Sequence, residues 1–235
     1  MIVVEDLVKR FGRQTVLNNV SLSCRVGDCI ALIGPNGCGK TTLIKSLLGM
    51  VVPDSGLISF ENEPIKRHWK YREKIGYMPQ IGRYPDNMTI GQVLDMMIDI
   101  RKSSSRKLDE ELVEAFGLND LRQKRMRTLS GGTRQKVSAC LAFMFNPPVL
   151  ILDEPTAGLD PLSAEILKEK IQKEKAAGKL VLITSHILSD LDELITSIIY
   201  MQEGKVVFHK GIETLYTETG CDRLGKAIAA IMRNS

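Results

Sequence analysis

The stretch "CIALI" at 29–33, followed directly by "GPNGCGKTT" at 34–42, constrains this chain more than any other feature. Five apolar residues in a row, without alternation, read as a strand covered on both faces, as in a parallel sheet. Gly34, Pro35, Asn36, Gly37, Cys38, Gly39, Lys40 and Thr41 then satisfy G-x-x-x-x-G-K-[ST]. Glycines at this spacing let successive backbone N–H groups wrap a phosphate. Lys40 can reach the β- and γ-phosphates, the Thr41 hydroxyl can ligate Mg²⁺, and Thr42 follows in the same turn. A helix opening near Gly39 adds its positive end. The helical pattern "TTLIKSLLGM" after the loop is the context this mechanism requires. A strand–loop–helix unit that binds ATP with Mg²⁺ is therefore expected. Cys38, inside the loop, reads as small filler; the other reading is a thiol made reactive by Lys40 and the helix start.

Two more continuous apolar runs, "VLIL" at 149–152 and "LVLIT" at 180–184, read as further strands of the same sheet. Ligands in open α/β sheets collect at the carboxyl ends of strands. Asp153 and Glu154 follow the first of these runs at once. Asp153 fits an acid that holds Mg²⁺ through water, and Glu154 fits a general base for an attacking water. His186 follows the other run in "LITSH", where it can sense the γ-phosphate. Gln80 in "YMPQ" carries a carboxamide able to touch Mg²⁺ or that water, which by itself is a weak signal.

The remaining segments read differently. "MIVVEDLVKRF" and "VLNNVSLSC" look like half-buried antiparallel strands, and "IIYMQEGKVVFH" at 198–209 like a hairpin turning at Glu203-Gly204. "IGQVLDMMIDI" and "LDEELVEAFGL" have helical spacing, with a charged, Ser-rich loop "RKSSSRK" between them. The expected fold is a single α/β domain over 1–235. It has a parallel core sheet, an antiparallel β subdomain, a small helical subdomain at about 88–146 and a helical tail at about 212–235. In the tail, Leu224, Ile228 and Ile231 share one helix face.

Composition excludes several classes. A net charge of +4 over 235 residues is well short of a nucleic-acid-binding balance. No apolar run approaches the roughly 20 residues that span a bilayer, and "MIVVEDLVKRFG" has no signal-peptide pattern. Five cysteines without a CxxC pair suit free thiols rather than a disulfide framework or metal cluster. The expectation is a cytoplasmic protein that reaches a membrane only through a partner.

A second anion-suited turn, "LSGGTRQK" at 129–136, lies far from the first. Ser130 can cap a helix, and Gly131 and Gly132 let backbone N–H groups approach a phosphate. The helix is expected to continue with Val137, Leu141 and Phe145 toward the core. Phosphate loop, this turn and the Asp153-Glu154 pair together make the chain resemble, along nearly its whole length, the ATP-binding subunits of ABC transporters, P-loop NTPases of ABC type.

That resemblance implies a head-to-tail homodimer in which the phosphate loop of one copy and the LSGG turn of the other hold one ATP. It also implies that Phe11 stacks on adenine beside Val16. Gln80 then belongs to the loop facing a separate integral membrane permease, Asp160 in "AGLD" to the dimer interface, and His186 is the switch histidine. Thr133 departs from the family, which usually has Gln there, and Phe11 replaces the commoner Tyr. The permease would hold the protein on the inner face of the cell membrane, with residues 80–90 as the contact segment through Tyr84, Pro85 and Met88. The basic run "RQKRMR" at 122–127 reads as a solvated helix end. The compact layout is similar to export-type subunits, and broadly to the one serving copper-site maturation of nitrous oxide reductase. Export of a drug, peptide or lipid, and a soluble ABC ATPase unconnected with transport, are the alternatives.

Overall fold

The computed structural model describes residues 1–101, 107–185 and 194–234. A four-stranded antiparallel sheet forms from β1 (Ile2–Phe11), β2 (Gln14–Cys24), β4 (Ser55–Phe60) and β5 (Glu63–Pro64), in the order β2-β1-β4-β5. The central sheet uses β3 (Cys29–Ile33), β6 (Ile75–Met78), β7 (Val149–Asp153), β8 (Leu180–Thr184), β9 (Ser197–Gln202) and β10 (Lys205–Gly211). Its order is β10-β9-β3-β8-β7-β6, with β10 antiparallel to β9 and the other pairings parallel.

Side-chain alternation explains why the apolar runs are continuous. Cys29, Ala31, Ile33, Leu150, Leu152, Val181 and Ile183 point into one core, packed with helices. Ile30, Leu32, Val149, Ile151, Leu180 and Leu182 point into a second core, against the antiparallel sheet and α1 (Lys40–Leu47). Every residue of β3, β7 and β8 is buried, and each large side chain so placed stabilises by roughly 1.5–3 kcal/mol.

The sequence signal missed β6, a four-residue strand containing Gly76. Gly76 is needed because a Cβ there would lie 2.0 Å from the Ala142 carbonyl of α4 (Gly131–Phe143). Helices α2 (Ile90–Ile100) and α3 (Glu111–Ala115) pack in the same core as α4, while part of the loop expected at 101–107 lies outside the described residues. Helix α3 is shorter than its pattern suggested, since Gly117 adopts a left-handed turn and a 3₁₀ segment follows. Phe145 is buried but lies beyond the end of α4, and Leu141 is only half-buried; Val137, Cys140 and Phe143 form that helix's inner face. In the tail, α6 (Ile212–Thr219) and α7 (Leu224–Asn234) bury Leu215, Leu224, Ala227 and Ile228, with Ile231 packed at the edge.

One charged cluster ties the helical region to the core. Lys170, 5% exposed on α5 (Pro161–Ala176), meets Asp109 at 2.5 Å, Glu111 at 2.8 Å and Glu174 at 2.9 Å. Hydrogen bonds from Lys170 and then Lys173 hold the Glu111 carboxyl below its ordinary range. Removing one partner of a buried ion pair is strongly destabilising. K170M is expected to lower unfolding stability by about 3 kcal/mol at neutral pH, measured by chemical denaturation. A carboxylate with a depressed folded value stabilises above its unfolded pKa, and that contribution fades as pH falls through the folded value. The wild-type chain should therefore lose stability on acidification below about pH 4, and K170M should lose less over the same window.

Candidate functional site

The loop after β3 is held in shape from three sides. A Cβ on Gly34 would lie 2.1 Å from the Met201 carbonyl of β9, and one on Gly39 2.7 Å from the Val16 carbonyl of β2. Both positions also have positive φ, 155° and 111°. Backbone can thus approach from the central sheet on one side and the antiparallel sheet on the other only because these residues lack side chains. The β9–β10 turn completes the clamp: Gly204 N–H donates to the Cys38 carbonyl at 3.1 Å, and Asn18 N–H donates to the Gly204 carbonyl at 2.8 Å. Lys40 Nζ donates back to the Gly34 carbonyl at 2.6 Å and the Pro35 carbonyl at 3.1 Å. Gly39 caps α1, whose first turn carries no acid, so the positive helix end opens onto the loop.

Beside this loop lies a cavity of about 330 Å³. Asn36, Gly37, Gly39, Lys40, Thr41 and Thr42 line one side. Val16, Gln80, Asp153 and Glu154 line the rest, together with Gln14, which the sequence reading did not select. Gln14 pairs with Phe11 across the β1–β2 turn, and that register was the available signal. Thr41, Gln80 and Asp153 all present oxygen donors, which suits a hard cation and leaves positions for water and phosphate. Among the described residues no group of three His, Cys, Asp or Glu side chains is arranged to hold a metal ion, so any ion here would need phosphate and water ligands as well.

Thr184, at the end of β8, positions both acids and was missed in the sequence. Its Oγ1 donates to Asp153 Oδ1 at 2.5 Å and accepts from the Glu154 N–H at 3.0 Å. Glu154 N–H also reaches the Thr184 carbonyl at 3.1 Å. Glu154 has φ 53°, a left-handed conformation uncommon for a residue with a side chain. That turn ends the strand while leaving both Asp153 and Glu154 on the wall of the cavity. Both are buried. His186 lies outside the described residues.

Other expected site residues stand apart from the cavity. Phe11 is 52% exposed, with Lys9 Nζ 5.3 Å from its ring centre. Ser130, Gly131 and Gly132 open α4 and do not line the cavity. Their helix nevertheless packs on the chain leaving Glu154. A Cβ on Gly132 would lie 2.7 Å from the Gly158 carbonyl, and Gln135 Nε2 donates to the Glu154 carbonyl at 3.4 Å. Lys136 pairs with Asp160 at 3.0 Å. Hydrogen bonds from Ser163, then Lys136, hold the Asp160 carboxyl well below the usual range while Asp160 caps α5.

The expected contact segment is corrected in part. Tyr84 turns inward, its Oη 2.8 Å from Ser138 Oγ, and Met88 packs on the main core. Pro85 is exposed, and Ile81, 66% exposed beside Gln80, is a further outward apolar residue there. In the basic run, Met126 is buried and Arg122 pairs with Asp95 at 2.7 Å.

Comparison with known proteins agrees with this geometry. A family model described as "ABC transporter" matches residues 17–157. A Nod factor export ATP-binding protein I from Ralstonia nicotianae is 34% identical over 224 residues, 93% of this chain and 70% of that protein. A lantibiotic transport ATP-binding protein from Streptococcus pyogenes is 35% identical over 219 residues, 89% and 90% of the two chains. The solved structure of an ATP binding subunit of an ABC transporter superposes with TM-score 0.90 at 28% identity, covering 99% of each chain. A dimeric ATP-binding cassette in a post-hydrolysis state with ADP and phosphate shares the fold, with TM-score 0.78 and 22% identity over 90% of this chain and 99% of that one.

Cys38 is 4% exposed and sits in the core beneath the loop, which suits the small-filler reading, while Lys40 Nζ lies 3.9 Å from its Sγ. Cys24, Cys29 and Cys140 are also buried, and burial pushes the Cys24 and Cys29 thiols up to about 12. A maleimide pulse on the native chain, mapped by mass spectrometry, is expected to label Cys221 first, with Cys38 labelled only on unfolding. Rapid native labelling of Cys38 would contradict this placement.

Proposed function

The chain belongs to the ABC transporter family and is one of its ATPases, and from that premise we propose that two copies close head to tail around two MgATP to drive a separate membrane subunit. One observation carries the dimer. Ser130, Gly131 and Gly132 form a helix start of anion-binding type, yet they lie outside the cavity that gathers the other nucleotide residues. A second copy brings that turn to a phosphate without any change of fold.

The roles proposed for Val16, Lys40, Thr41, Gln80, Asp153 and Glu154 draw support from the cavity they line. Phe11 and Val16 take the adenine side, the phosphate loop and Lys40 hold the triphosphate, and Thr41, Gln80 and Asp153 would hold Mg²⁺. Mg²⁺, when bound, would neutralise the charge that develops on the phosphates. Glu154 accepts the proton of the attacking water, held by the Thr184 contacts to its backbone. His186 donates toward the γ-phosphate from the segment after β8. Asp160 lies at the dimer interface. Gln80 and Ile81 face the permease, which holds the protein on the inner face of the membrane. No helix among the described residues is long and apolar enough to cross a membrane.

For cargo, relatives named for export of a Nod factor and transport of a lantibiotic support an export role with a peptide or lipid-like substrate. The link to copper-site maturation of nitrous oxide reductase rests on broad similarity alone and takes second place.

E154Q is expected to bind ATP normally and to release phosphate at least about 100-fold more slowly. With MgATP it should also shift from monomer to dimer in light scattering. Wild-type phosphate release by E154Q would remove the general-base role.

A further inference from the structure

Among the described residues, two helices begin with a hydroxyl residue at the cap and a polar residue three positions later, and they use the pair differently. At α2, Thr89 Oγ1 accepts from the Gln92 N–H at 3.2 Å, and Gln92 Oε1 reaches back to accept from the Thr89 N–H at 2.9 Å. This is the reciprocal capping box. At α4, Ser130 Oγ accepts from the Thr133 N–H at 3.2 Å, the same first half. The second half is missing. The Thr133 side chain is too short to reach the cap backbone, and its Oγ1 lies 2.9 Å from Ser130 Oγ instead.

That difference changes what Ser130 can do. A serine hydroxyl has one hydrogen and two lone pairs. The Thr133 N–H occupies one lone pair. When the Thr133 hydroxyl donates as well, the second is filled. Ser130 then has only its own hydrogen left, pointing away from the helix. A hydroxyl that accepts two hydrogen bonds is polarised into a better donor. The Ser130 N–H is also left without the side-chain partner that Thr89 has. Ser130 is exposed and Thr133 half-buried behind it, so this hydrogen faces outward from the molecule.

We infer that Thr133 is a positioning residue that makes Ser130 a one-way donor to the γ-phosphate bound by the facing copy. Without an anion, the Ser130–Thr133 pair can be hydrogen-bonded in either direction. A phosphate oxygen at the turn fixes the order as Thr133 to Ser130 to phosphate. The departure from the usual Gln is thus a different way of presenting the same cap, with two donors aimed outward rather than one satisfied internally. This inference rests on the head-to-tail dimer and deepens it.

The test uses the 235-residue chain carrying E154Q, with MgATP, and reads the monomer–dimer equilibrium by sedimentation. T133V keeps shape and the backbone N–H but removes the hydroxyl. Each lost hydrogen bond is expected to weaken its half-site about threefold to tenfold, and two half-sites make the dimer about 10- to 100-fold weaker. T133S restores the hydroxyl and should dimerise within about twofold of the parent. ATP affinity of the monomer and the thermal midpoint should not move, which a merely structural cap would not predict. T133A removes the same hydroxyl without the added methyl and gives the reading if valine fits poorly. In the chain with Glu154 intact, T133V should slow phosphate release most at low protein concentration. If the E154Q parent dimerises and T133V and T133A dimerise equally well, the role of Thr133 is overturned and the dimer stands. If the parent itself stays monomeric with ATP bound, the dimer and the inference fall together.

Discussion

The phosphate loop exists in its shape because three pieces of backbone meet where no side chain fits. The Met201 carbonyl presses on Gly34, the Val16 carbonyl presses on Gly39, and the turn at Gly204 bonds to both Cys38 and Asn18. The loop is the place where the central sheet, the antiparallel sheet and the late hairpin are joined. Other features follow from that junction. Lys40 and Thr41 emerge at one edge of a cavity whose other edge is the carboxyl end of β7, one strand beyond β8 from β3. Thr184 on the intervening strand then bridges to Asp153 and Glu154. The residues proposed for metal holding and for proton abstraction come together because adjacent parallel strands end at the same level.

Much of this was legible in the sequence, and the reason is physical. Strands buried on both faces cannot hide their composition, so "CIALI", "VLIL" and "LVLIT" announced β3, β7 and β8. Glycines forced by backbone approach are equally visible in "GPNGCGK". Short or irregular features were not. Strand β6 has four residues and a glycine demanded by α4, a tertiary reason that no local pattern carries. Thr184 looked like the last residue of an apolar run, and its role depends on which strand lies next to it. Tyr84 looked like an outward contact because its loop is polar; its hydroxyl finds Ser138, four residues along from Arg134 on α4. Cys38 sits in a chemically active loop, yet the core beneath claims it.

In the proposed dimer, helix α4 would give one chain an interest in both nucleotide sites. Its first turn carries Ser130, offered outward. One turn further, Gln135 touches the backbone of Glu154, and Lys136 holds Asp160 in its place at the cap of α5. Along α5, Lys170 anchors Asp109 and Glu111 of the helical region. A displacement of that turn on meeting a partner's phosphate, as the proposed dimer requires, therefore has short, packed routes to Glu154 and to the helical region.

The central claim is that one nucleotide is held by two chains. A crystal structure of the E154Q protein with MgATP tests it most directly. The account predicts two copies related by a twofold axis. Ser130 Oγ and the Gly132 N–H of each should lie about 3 Å from the γ-phosphate oxygens seated on Lys40 of the other. ATP bound in the same loop with no second copy's Ser130 near its phosphates, in a lattice or in solution, would contradict it.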